Sequence, residues 1–137
     1  MLTGLRRIGK TTLLKGIIQQ LLSRNILPTR ILFLSLDILY FTPYSIQDII
    51  IAYKKLHRIE HQEHVYLILD EVTYKPHFNQ ELKNLYDKGT YKIFASSSSA
   101  STLKDNKAFL TGRARYITIN PLNFEEFLVC QNKFAEC

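Results

Sequence analysis

The residues with the clearest chemical potential stand near the start of the chain: Gly4, Leu5, Arg6, Arg7, Ile8, Gly9, Lys10, Thr11 and Thr12. Their spacing, G-x-x-x-x-G-K-[ST], suits a loop that holds phosphate groups with its main chain. Glycine at both ends allows a tight turn whose N–H groups point inward as an anion nest. Thr11, Thr12 and Leu13 then open a helix whose first unpaired N–H groups and positive dipole end face the same anion. Lys10 is expected to reach the β- and γ-phosphates, and the Thr11 hydroxyl to ligate Mg2+. A glycine turn capping an ordinary helix is the competing reading, and strand–loop–helix context decides between them. The helix side of that context is present; only Met1, Leu2 and Thr3 precede Gly4.

A second cluster answers the first. Val65-Tyr66-Leu67-Ile68-Leu69 is an apolar run ending in Asp70-Glu71, the Walker B pattern. Asp70 is expected to bind Mg2+, usually through water, and Glu71 to accept a hydrogen bond from an attacking water. At a strand end two adjacent carboxylates splay, so one can serve the metal and the other the water. Taken alone, such a run is a strand meeting solvent. Behind a phosphate loop it becomes the other half of a site.

These groups must be positioned by a folded scaffold. A chain of 137 residues with 46% hydrophobic content can bury the core of a single domain, and 22% charged residues argue against disorder. The net charge of +6 would suit an acidic partner, but the basic residues are scattered and form no tail, so nucleic acid is not indicated. Cys130 and Cys137, the only cysteines, make neither a disulfide framework nor a metal knuckle, which fits a reducing, cytoplasmic setting. The longest apolar stretch, residues 31–41, is broken by Ser35 and Asp37 and is too short to span a bilayer. No leader segment is recognised. His57, His61 and His64 with Glu60 and Glu63 share helical spacing, but this polar stretch reads as a solvated helix end rather than a zinc site.

Periodicity predicts helices over residues 11–22, 45–56, 78–86 and 124–130, with a weaker one over 101–110. Strands are predicted over 31–36, 65–69, 91–95 and 115–119. Alternating strands and helices specify an α/β fold in three layers with a mainly parallel sheet, whose ligands sit beyond the carboxyl ends of the strands. The phosphate loop, Asp37, Asp70-Glu71 and the serines 96–99 all follow such ends.

The order of these blocks resembles the AAA-superfamily ATP-binding proteins of bacteria and archaea, which typically read GxRRxGKTTLL at the loop. Asp70-Glu71, the Leu82-Lys83-x-Leu85-Tyr86-Asp87 helix, Lys92-Ile93-Phe94, Leu110-Thr111-Gly112-Arg113-Ala114 and Pro121-Leu122-Asn123-Phe124-Glu125-Glu126-Phe127 continue the likeness. The resemblance implies a P-loop NTPase of the ASCE/AAA type spanning residues 1–137, with strand order 5-1-4-3-2 and a truncated first strand. It implies ATP and Mg2+ as ligands, ATP hydrolysis as the activity, and Ser98 as the sensor ending the fourth strand, with Ser96 as second choice. Ser97 stands where the family usually has Gly, and Thr73 where it often has Gln. Arg113 is a candidate to touch the γ-phosphate, in its own subunit or across an interface; a surface arginine after Gly112 is the alternative. Arg6 and Arg7 either shape the loop, meet a partner or face solvent, and Asp37 either joins the acidic pair or caps a turn. The short first strand and abrupt end lead to the expectation of a fragment. A nucleotide-gated binding module with little turnover is the alternative to an ATPase, and a protein partner or self-association stays open.

Overall fold

The computed structural model describes residues 1–99 and 110–135; the weaker helix predicted over 101–110 therefore falls almost wholly outside the described residues. Five strands, β1 (Leu2–Thr3), β2 (Ile31–Ser35), β3 (Val65–Asp70), β4 (Tyr91–Ser97) and β5 (Ile117–Thr118), form one sheet in the order β2-β3-β4-β1-β5. Every pairing is parallel. Read from the other edge this is 5-1-4-3-2, the order the resemblance implied. The α-helices are α1 (Lys10–Ser23), α2 (Ile46–Leu56), α3 (Phe78–Asp87) and α4 (Phe124–Ala135).

The pleat of β3 decides the layering, because successive side chains point to opposite faces. Leu67 and Leu69 join Leu32, Leu34, Ile46, Ile50, Leu82 and Leu85 in one cluster, which places α2 and α3 on that face. Ile68 joins Leu14 and Leu21, with Phe33 and Phe94 packed beside them, which places α1 on the other. Both faces of β3 are thus covered, and all but one of its residues are buried. This is why it reads as a continuous apolar run rather than an alternating one.

The short β1 is inserted between β4 and β5. Leu2 pairs with Ser96 and Ile117, and Thr3 with Ser97 and Thr118. Two residues of central strand are enough to seat Gly4 at the carboxyl end of the sheet. There a Cβ on Gly4 would lie 2.5 Å from the Ile119 carbonyl oxygen and 2.4 Å from Ile8 Cδ1, so only glycine fits that approach.

The strand predicted over 115–119 contracts to Ile117–Thr118, its length set by the two residues of β1 it can pair with. In contrast β3 and β4 run one and two residues further than expected, to Asp70 and Ser97, because the extra residues still find ladder partners across Ser35 and β1. Among the described residues no helix is long and apolar enough to cross a membrane.

Candidate functional site

At the carboxyl edge of the sheet lies a cleft of about 410 Å³ lined by Arg6, Arg7, Gly9, Lys10, Thr11, Thr12, Asp37, Glu71, Tyr74 and Ser98. Four segments build it: the loop between β1 and α1, the loop after β2, the turn after β3, and the end of β4. The loop turns into α1 through Gly9, at φ 96°, a left-handed conformation that L side chains rarely adopt. No side chain caps this helix and its first turn holds no acidic residue. Its leading N–H groups are therefore available to an anion from outside the helix.

Lys10 is only 4% exposed. Its ammonium Nζ donates to the carbonyl oxygens of Gly4 at 3.1 Å and Leu5 at 2.6 Å, so the lysine is wrapped by its own loop. Thr11 Oγ1 donates to Asp70 Oδ2 at 2.6 Å, joining the loop to the end of β3. The other carboxylate oxygen of Asp70 accepts from the Ser96 hydroxyl. The second of these partners is placed by register. Leu69 lies opposite Ala95 in the β3–β4 ladder, so Asp70 comes level with Ser96.

Glu71 follows at φ 54° and ψ 51°, a left-handed turn for a residue with a Cβ. Such a conformation costs on the order of 1–3 kcal/mol and persists only when its surroundings hold it. Here Glu71 N–H donates to Ser96 Oγ at 3.1 Å. The Glu71 carboxylate accepts from Ser98 N–H at 3.1 Å and from the Ser98 hydroxyl. Ser96 therefore serves the backbone of the acidic pair and its first carboxylate, whereas Ser98 serves the second.

Ser97 contributes elsewhere. Its hydroxyl lies 3.1 Å from Thr73 Oγ1 and accepts from Ser99 N–H at 3.0 Å, so the two positions that depart from the family pattern are paired with each other. Asp37 reaches the cleft and accepts from Ser35 Oγ at 2.7 Å.

Arg113 lies apart. Its Nε donates to Asp87 Oδ1 at 2.9 Å, and Asp87 ends α3 at the opposite, amino edge of the sheet. It therefore does not line the cleft within its own chain. The histidine stretch also lies away from the cleft. Glu63 pairs with Arg30, and among the described residues no three His, Cys, Asp or Glu side chains gather as metal ligands. The Arg30 guanidinium, aided by the Glu60 N–H, holds the Glu63 carboxyl below the usual carboxylate range.

Sequence reasoning missed two contributors, and placed a third in a different role. Tyr74 sits at the cleft and its hydroxyl accepts from the Arg6 guanidinium at 3.0 Å. Lys75 is 3% exposed and donates to the Phe41, Thr42 and Tyr44 carbonyls, the last at 2.6 Å. It fastens the chain after Glu71 to the loop that leads into α2. Ser96, second choice as sensor, is instead fully buried behind Asp70. Only the Val72-Thr73-Tyr74-Lys75 stretch following an acidic pair could have signalled the first two, since both act across the tertiary fold.

A parallel sheet with a glycine loop running into an uncapped helix, facing an acidic pair on a neighbouring strand, defines an α/β domain of the P-loop NTPase type. The AAA domain family matches residues 1–128, and the chain belongs to that family. It is also 38% identical over 129 residues to the uncharacterized protein MJ1637 of Methanocaldococcus jannaschii. That alignment covers 93% of this chain and 27% of the relative's length, so the chain spans about a quarter of that protein.

Proposed function

We propose that this domain binds ATP with Mg2+ in the cleft between residues 4–12 and the Asp70-Glu71 turn, and hydrolyses its β–γ bond. The observation that carries the reading is the Thr11–Asp70 hydrogen bond of 2.6 Å, which brings a hydroxyl and a carboxylate of suitable chemistry to one point beside the buried Lys10. The residues fit the groups they would hold. Mg2+ accepts few protein oxygens and keeps water and phosphate oxygens for the rest, so one hydroxyl and one carboxylate suffice. When bound, the ion would supply positive charge against the phosphate oxygens.

The chain's own residues would act as follows. The amides of residues 4–9 and the first turn of α1 cradle the phosphates. Lys10 exchanges its two carbonyl partners for phosphate oxygens. Glu71 accepts a hydrogen bond from, and then the proton of, a water whose oxygen bonds to the γ-phosphorus while the β–γ P–O bond breaks, its electron pair leaving on ADP. Ser98 fixes the direction of that carboxylate. A nucleotide-gated module with little turnover remains the second reading, favoured by the same Ser98 contacts, which occupy both Glu71 oxygens.

Glu71→Gln separates the two. It preserves shape but lowers basicity, and under the hydrolytic reading phosphate release falls at least ~100-fold while ATP affinity is kept, the scale expected for an acid–base group. Equal phosphate release by wild type and variant would leave only the binding module.

A further inference from the structure

We propose that Arg6, carried by the phosphate loop itself, is the arginine that meets the terminal phosphoryl group of a bound nucleoside triphosphate, and that Tyr74 holds its guanidinium on the Glu71 side of the cleft. The inference rests on the cleft being a triphosphate site. It goes beyond that reading by assigning the terminal-phosphate contact to a residue within the loop.

Three observations carry it. First, Arg6 lines the same cleft as Lys10, Glu71 and Ser98. Its guanidinium is directed by the 3.0 Å hydrogen bond to Tyr74, only three residues beyond Glu71. The guanidinium is thus tied to the turn that follows Glu71, and Arg6, Tyr74 and Glu71 all line the one cleft. Second, Tyr74 is a neutral partner that takes one of the five N–H donors of a guanidinium. Among the described residues Arg6 makes no ion pair, whereas Arg30 and Arg113 are both spent on carboxylates; Arg7 lines the cleft too, but it is Arg6 that Tyr74 holds in a fixed direction. A phosphoryl group with two oxygens in one plane matches the remaining donors in the bidentate manner that distinguishes arginine from lysine. Third, Arg113 is tied to Asp87 at the far edge of the sheet and cannot serve the cleft of its own chain in this arrangement.

The charge arithmetic points the same way. Lys10 is enclosed by the loop carbonyls, so its single ammonium would be shared between the β- and γ-phosphates, and Arg6 would add a second, planar cation for the terminal oxygens. Arg6 is exposed at the mouth, hydrated until an anion enters, and so carries little desolvation penalty in waiting. It would contact a triphosphate but not a diphosphate. Tyr74 is a positioning residue: it touches the guanidinium and sets where that group waits.

The test compares ATPγS with ADP by titration calorimetry on the full chain, for wild type, Arg6→Ala and Tyr74→Phe, with thermal melts to verify folding. Wild type is expected to favour ATPγS. Arg6→Ala should lose at least about tenfold of that preference while ADP affinity stays within about threefold. Tyr74→Phe should lose a smaller part, about two- to threefold, and ADP with aluminium fluoride should be retained by wild type and released by Arg6→Ala. An unchanged ATPγS-to-ADP ratio in Arg6→Ala overturns the proposal. So does a parallel fall in both affinities, which would make Arg6 a shaper of the loop. Because the readout is binding, a wild type that binds but does not turn over removes the hydrolytic reading and leaves the Arg6 assignment standing. A wild type that binds neither nucleotide removes both.

Discussion

Helices α1 and α2 both begin at the carboxyl edge of the sheet, yet their first turns are finished in opposite ways. Ser45 caps α2: its hydroxyl accepts from Asp48 N–H at 3.0 Å, and Asp48 Oδ2 accepts from Ser45 N–H at 3.2 Å. This reciprocal box satisfies orphan donors locally and sets a carboxylate against the positive end of the helix. Helix α1 has Gly9 in that place, no capping side chain, and Lys10-Thr11-Thr12 where α2 has Ile46-Gln47-Asp48. One helix start is closed by its own sequence. The other is left for an anion that is not part of the chain, with a cation rather than a carboxylate beside it. With glycine in the cap position α1 gives up only a few tenths of a kcal/mol, and its first N–H groups stay open to an outside anion.

Breaking each start in turn should separate those roles. The largest effect is expected from Lys10→Ala: ATP affinity should fall at least ~100-fold in a titration, equivalent to about 2.7 kcal/mol, with little change in melting temperature. Retained affinity would remove the cleft as the nucleotide site. Ser45→Ala should do the reverse, costing about 0.5–2 kcal/mol in denaturant unfolding while leaving ATP affinity unchanged.

The smallest effects lie at charged surface groups. The Asp48 carboxyl is held below its ordinary range by the Ser45 hydroxyl and then the Ser45 N–H. A depressed folded-state value means the stabilisation is complete above the unfolded-state value and disappears as pH falls through the folded one. The melting-temperature gap between wild type and Asp48→Asn should therefore narrow in acid; a gap that stays constant with pH would show that the box works by shape alone. Arg113→Ala should remove a half-exposed ion pair with Asp87 and cost under ~1 kcal/mol. A loss of ATP turnover at constant stability would instead indicate that Arg113 reaches a neighbouring subunit's cleft.

Much of the architecture was legible because it rests on periodicity. The stripe Leu14, Ile17, Ile18 and Leu21 and the run Val65–Leu69 each specify an element and the number of its buried faces. The phosphate loop was legible for a different reason, since its glycines and lysine are required at fixed offsets within one continuous segment. The strand order was not readable from pattern. Three residues ahead of Gly4 carry no periodicity, and it was the resemblance to a known family that set β1 between β4 and β5.

The partners of the acidic pair were less accessible. Four consecutive serines look alike in sequence, yet Ser96 serves Asp70 and the Glu71 amide, Ser97 serves Thr73, and Ser98 serves the Glu71 carboxylate. Alternation along β4 and its register against β3 distribute them. The same holds for Lys75, whose three carbonyl partners lie more than thirty residues earlier.

The chain's own order of residues determined which groups could handle a phosphate anhydride, and which segments would be helix or strand, because both follow from local spacing. Only the folded arrangement decided which serine meets which carboxylate, that Arg6 turns toward Tyr74, and that Arg113 is drawn off to Asp87. Those choices depend on the register of parallel strands and on which edge of the sheet each loop occupies. Neither is encoded within any single stretch of sequence.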